Sequence, residues 1–129
     1  SYLIKCNLEQ KKYTIFGYKG KQVRDNIHSH DVVAFIKEFI KAPRIAEVYN
    51  IGGGRENSIS VLEAFKLIQS ISGIDMIYEY SDINRQGDHI CYISDLSKMK
   101  AHYPNWKITK SLKDTFNEIY QSWKTKSKS

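Results

Sequence analysis

An α/β fold is predicted by two patterns in the chain. Short β-prone runs alternate with stretches whose apolar residues recur at three- and four-residue steps, and glycine, proline or a capping residue marks most of the junctions. Helices lying between the strand-like runs call for some parallel pairing. The 129 residues fit one domain with a modest core, and they contain no repeat and no obvious interior linker.

Residues 1–12 read as the remnant of a helix in which Tyr2, Leu3, Cys6 and Leu8 share a face. With no initiator Met and no helix-start signal, a truncated N-terminus is expected. Tyr13 to Phe16 is a short β-prone run closed by Gly17, and Lys19-Gly20-Lys21 has the composition of a hairpin tip leading into Val23 to Ser29. Strand alternation puts Arg24, Asn26 and His28 on one face and Val23, Asp25 and Ile27 on the other. Ser29 is placed to cap a helix through about Ile40, which Pro43 stops. Val48 to Ile51 reads as a strand running into Gly52-Gly53-Gly54. Ser60 with Glu63 forms a capping box for a helix to Ser72, ended by Gly73. Met76 to Tyr80 is strand-like, Asp95 caps a short helix to His102, and Ser111 starts a last helix with Leu112, Phe116, Ile119, Tyr120 and Trp123 on its apolar side. Residues 13–123 therefore form the expected domain, and 124–129 a frayed basic tail.

The net charge of +6 is inflated by Lys124, Lys126 and Lys128 in that tail. The remaining excess suits an anionic ligand as well as a nucleic acid. A small basic nucleic-acid module is supported by the tail alone and lacks aromatics interleaved with a basic stripe. No apolar run reaches the roughly 18 residues of a membrane helix, and nothing resembles a signal peptide. Cys6 and Cys91 have neither CxxC spacing nor a zinc pattern, so two reduced thiols in a cytoplasmic protein are expected. No metal spacing links His28, His30, His89 and His102, which read as structural or surface histidines.

Two short segments carry the chemistry. Arg24-Asp25-Asn26-Ile27-His28-Ser29 and Arg85-Gln86-Gly87-Asp88 each open on an arginine, whose planar fork of donors binds phosphate oxygens two at a time. Two such forks converging would hold a diphosphate. Gly52-Gly53-Gly54 follows a strand-like run and precedes a helix, but a G-x-G-x-x-G needs a third glycine where Asn57 stands. It is read instead as a turn bringing backbone close to a neighbour or ligand. Tyr103 with Lys107, and Tyr120 with Lys124, match the Tyr-x-x-x-Lys spacing of short-chain dehydrogenases. Both read as accidental, because Pro104 interrupts the first and Tyr120 lies on an apolar stripe.

In order, Thr14-Ile15-Phe16-Gly17, Arg24 to His28 with Asp31, Tyr49-Asn50-Ile51-Gly52, Arg85 to Asp88, Tyr92 and Ser94 to Lys98 resemble the C-terminal, substrate-binding part of extended short-chain dehydrogenases, the Rossmann-type NAD-dependent epimerase/dehydratase family. The stretches Gly17 to Ser29 and Gly87 to Asp95 are most similar to those of CDP-tyvelose and CDP-paratose 2-epimerases, with Asn26, Ser29 and Gln86 standing where other members carry an aromatic, Val and Pro. The resemblance implies that Arg24 and Arg85 hold the pyrophosphate of a nucleotide-sugar and Asp88 reaches its ribose. It also implies that Thr14 and Phe16 border the base and that Tyr92 lines the same pocket. It implies an isomerase of polysaccharide biosynthesis that moves a hydride from sugar to NAD and back, or else a dehydratase or decarboxylase built on the same parts. The dinucleotide loop and the catalytic Tyr-x-x-x-Lys lie upstream in that family, so this chain is expected to be inactive alone, to bind no NAD itself and to associate with itself.

Overall fold

Parallel strands cannot be joined by a tight turn, so the chain between them must cross over. In the computed structural model, which describes residues 1–83 and 86–127, that rule organises the first sheet. Helix α1 (Tyr2–Leu8) leads into β1 (Tyr13–Phe16), which pairs in parallel with β4 (Tyr78–Ser81), Tyr13 opposite Tyr78. The crossover between them contains β2 (Val23–Asp25), α2 (Ser29–Lys41), β3 (Ser58–Ser60) and α3 (Val61–Ser72). A second sheet has β2 at its centre, antiparallel to β3 and parallel to β5 (Cys91–Tyr92). Helices α4 (Ser97–His102) and α5 (Leu112–Ser127) follow.

Several expectations need correction. The Tyr13 and Val23 runs do not form a hairpin, because residues 17 to 20 all take positive φ, a tight left-handed turn that sends β2 into the other sheet. Across that turn the side chain of Gln22 donates to the Phe16 carbonyl at 3.2 Å. Ser29 is the first residue of α2 and not its cap. His28 caps it, its Nδ1 accepting from the His30 N–H at 2.9 Å. Val48 to Ile51 is not a strand here: both edges of β2 are taken by β3 and β5, and Val48 is 79% exposed. The Met76 to Tyr80 run is in register from Tyr78 to Ser81, leaving Met76 free to enter the core. Asp95 supports α4 from one residue before the Leu96 cap, its Oδ1 accepting from the Ser97 N–H at 2.9 Å. In α1 the buried residues are Ile4, Cys6 and Asn7, while Tyr2 is exposed. The expected frayed tail is helical through Ser127, where Lys5 and Lys126 lie over the Trp123 ring at 5.1 and 5.5 Å. Lys128 lies outside the described residues.

The capping box forms as expected, with Glu63 N–H donating to Ser60 Oγ at 3.2 Å and Ser60 N–H to Glu63 Oε2 at 2.9 Å. Two apolar clusters result. Ile4, Ile15, Phe65, Ile68, Met76 and Tyr120 join α1, β1, α3 and α5. Phe35, Leu96, Met99, Tyr103 and Trp106 join α2 to α4 and the segment after it. Cys6 and Cys91 are free, the first buried and the second exposed. Among the described residues no helix is long and apolar enough to cross a membrane.

Candidate functional site

The central strand β2 sets the site. Arg24 lies in register between Ile59 of β3 and Tyr92 of β5, so these three side chains occupy one face of the sheet. The Arg24 guanidinium donates through Nη1 to the Val23 carbonyl at 2.7 Å and pairs through Nη2 with Asp88 Oδ1. The two side chains are 36% and 21% exposed, so the pair sits at the surface of a cleft and is not sealed inside it. The Asp88 backbone carbonyl in turn accepts from the Tyr18 hydroxyl at 3.1 Å. The second arginine-led segment is thus docked on the first, through Asp88. Arg85 itself lies outside the described residues.

The cleft beside this pair has a volume of about 270 Å³. Arg24, Asp88, Asn26, Gln22 and Phe16 supply its polar end and rim, while Leu3, Ile15, Val61, Ala64 and Phe116 supply apolar wall. Of the residues expected here, Phe16, Arg24 and Asp88 therefore come together. Thr14 is not among the lining residues. Its hydroxyl donates to Glu79 Oε1 at 3.2 Å, and the bond from Lys12 above all holds that carboxyl below its usual range. Tyr92, 54% exposed, is in register with Arg24 but does not wall this cleft.

The neighbouring polar residues are structural. Asp25, out of phase with Arg24, accepts through Oδ2 from the Gly54 and Ser94 N–H groups at 3.0 Å each. It pins the glycine turn to β2. A Cβ on Gly52 would run into Asp25 Oδ2 and the Ser94 side chain, and one on Gly53 into the Asn26 carbonyl and Asn57 Cβ. The turn is therefore glycine because side chains at Gly52 and backbone at Gly53 approach it, filling the space a dinucleotide phosphate would need. Asp31 is fully buried. Its carboxylate accepts from Thr109 N–H at 3.1 Å, Thr109 Oγ1 at 2.6 Å and Lys110 N–H at 3.0 Å. Burial pushes its pKa up, but these bonds outweigh that and hold it below the usual Asp value. Because His28 Nδ1 is an acceptor, its Nε2 is the donor toward Glu118 Oε2 at 3.0 Å. His102 Nδ1 meets the Tyr49 hydroxyl at 2.8 Å.

Neither Tyr-x-x-x-Lys match can act as a catalytic pair. Tyr103 is buried and donates to the Ala42 carbonyl at 2.8 Å, and Tyr120 is buried in the first apolar cluster. Sequence reasoning missed Tyr18, Gln22 and Asp25. For Asp25 a signal existed, since an Asp opposite in phase to Arg24 and facing a glycine run has amides to accept from.

No family model matches the chain. CDP-paratose 2-epimerase of Salmonella typhi is 32% identical to it over 114 residues, which cover 85% of this chain and 32% of that enzyme. The uncharacterized UDP-glucose epimerase YtcB of Bacillus subtilis (strain 168) is 40% identical over 121 residues, 91% of this chain and 36% of that protein. The crystal structure of UDP-glucuronic acid 4-epimerase from Bacillus cereus, in complex with UDP-glucuronic acid and NAD, matches with a TM-score of 0.84 at 30% identity, covering 95% of this chain and 38% of that one. The chain belongs to the extended short-chain dehydrogenase/reductase family, of the NAD-dependent epimerase/dehydratase kind. As an extended short-chain dehydrogenase it spans about a third of the length of the curated relatives it matches. Its two small sheets and flanking helices are the corresponding portion of that Rossmann-type fold.

Proposed function

We propose that this chain is the nucleotide-sugar-binding, C-terminal portion of an NAD-dependent nucleotide-sugar epimerase acting on a CDP-sugar. One observation carries the reading. Arg24 and Asp88, from segments 64 residues apart, meet at the edge of a cleft that is otherwise largely apolar. A guanidinium there supplies charge and directed donors to a diphosphate, with Asp88 an acceptor for ribose hydroxyls and Phe16 an apolar edge for the base. Arg85 completes the assignment as a second fork on the diphosphate, while Thr14 and Tyr92, outside the wall of this cleft, are assigned to the part of the ligand that extends beyond it. The cleft is smaller than the roughly 300 Å³ at which ligand pockets begin, so it takes part of the ligand, and the rest of a longer protein closes over the remainder.

The described residues of this chain do not fit NAD, since Asp25, Asn26 and Ser94 crowd the glycine turn. The cofactor belongs to a preceding dinucleotide domain, and the chain is inactive alone. An apolar strip supports this division. Val33, Ile36 and Ile40 on the outer side of α2, with Ile45, Val48 and Ile51 after it, are all exposed and form the surface against which such a domain packs. Titration calorimetry with CDP tests the reading. Arg24→Ala and Arg85→Ala should each weaken binding, and unchanged affinity in both would reject the site.

A further inference from the structure

The left-handed turn at residues 17 to 20 has a feature its connecting role does not explain. Tyr18 and Lys19 hold φ of 48° and 49°, a region side-chain-bearing residues adopt at a cost, and bulky ones least readily. Such strain persists only where surrounding structure enforces it, and it concentrates at functional sites. The enforcement is visible here. Gly20 is buried against Leu62, and the Tyr18 hydroxyl reaches 70 residues along the sequence to the backbone carbonyl of Asp88. Asp88 is the residue whose carboxylate pairs with Arg24.

Resting on the nucleotide-sugar reading above, we infer that Tyr18 is a positioning residue: its strained backbone aims the phenol at the Asp88 carbonyl and thereby sets the Asp88 carboxylate beside Arg24. That carboxylate occupies Nη2 of Arg24, while Nη1 is engaged by the Val23 carbonyl. A diphosphate must therefore take donors from Asp88, and the displaced carboxylate stays where Tyr18 holds it, within reach of the ribose. The phenol acts on the ribose half of the ligand and leaves the phosphate half alone.

That split is measurable by calorimetry on the 129-residue chain with two probes, CDP and inorganic pyrophosphate. Tyr18→Phe removes only the hydroxyl, and CDP affinity should fall about fivefold, the worth of one hydrogen bond. Pyrophosphate affinity should not fall, because Arg24 is intact and its competitor is loosened. Asn tolerates the left-handed region but cannot span the gap, so Tyr18→Asn should show the same CDP-selective loss without an unfolding penalty from backbone strain. In Asp88→Ala, Tyr18→Phe should cost nothing further. Equal loss for both probes, or unchanged CDP affinity in Tyr18→Phe while Arg24→Ala still weakens CDP, overturns the inference and leaves the parent reading standing. A wild-type chain that binds neither probe removes both.

Discussion

Asp31 and Asp88 present the same carboxylate in two opposite settings. Asp31 is fully buried at the start of α2, with two N–H groups and one hydroxyl donating to it. Asp88 is partly exposed at a cleft, and among the described residues its carboxylate meets the Arg24 guanidinium. A carboxylate whose acceptors are all met by neutral protein donors has nothing left to give a ligand, and removing it strands buried donors. One held by a partly solvated arginine can exchange that partner at low cost. Donor count and burial thus separate the carboxylate that fastens the fold from the one suited to recognition, although both lie in the segments that carry the family resemblance.

The sharpest way to break this contrast is to delete each side chain in turn. Asp31→Ala should cost about 3 kcal/mol or more in urea unfolding, since it leaves buried donors unpaired. Asp88→Ala should leave the unfolding midpoint close to that of wild type, and equal destabilisation by the two would erase the distinction. Next in size, Arg24→Ala should weaken CDP binding at least tenfold, as expected for a charge-assisted hydrogen bond worth about 1.5–3 kcal/mol. Its thermal midpoint should barely move.

Acid sharpens the comparison further. Because the folded Asp31 pKa lies below the ordinary value of 3.8, its contribution is present above that value and is lost as pH falls through the folded pKa. Stability of wild type should therefore drop on acidification below about pH 4, and Asp31→Asn should flatten that slope in denaturant titrations at stepped pH. The smallest effect belongs to the exposed pair of Lys12 and Glu79, 2.7 Å apart. Glu79→Gln should produce no resolvable shift in midpoint.

Features governed by local chemistry were legible in the sequence. The Ser60 and Glu63 box, the left-handed Gly73 cap and the Tyr13–Phe16 strand depend on a few adjacent residues, and each appears where the pattern places it. Some parallel pairing was legible from the intervening helices, but which strands pair was not, because the choice of a neighbour for β2 depends on segments far along the chain. Ser58–Ser60 is a strand because β2 offers it an edge, whereas Val48 to Ile51, with better β propensity, finds no edge among the described residues. In the site, Arg24 was marked by its neighbours and by strand alternation. Tyr18 was not, because glycines at 17 and 20 announce a turn but not its left-handed path, and the reach of the phenol to Asp88 spans 70 residues of sequence.

The packing of Gly53 against the Asn26 carbonyl has a consequence for how this gene tolerates change. A base substitution at either of the first two positions of that glycine codon installs a side chain where the Asn26 carbonyl, next after the strand bearing Arg24, already lies, with Asn57 Cβ only 2.7 Å from the new carbon. Its place in a loop gives no outward sign of that crowding. Any side chain there must push the chain beside Arg24 out of place.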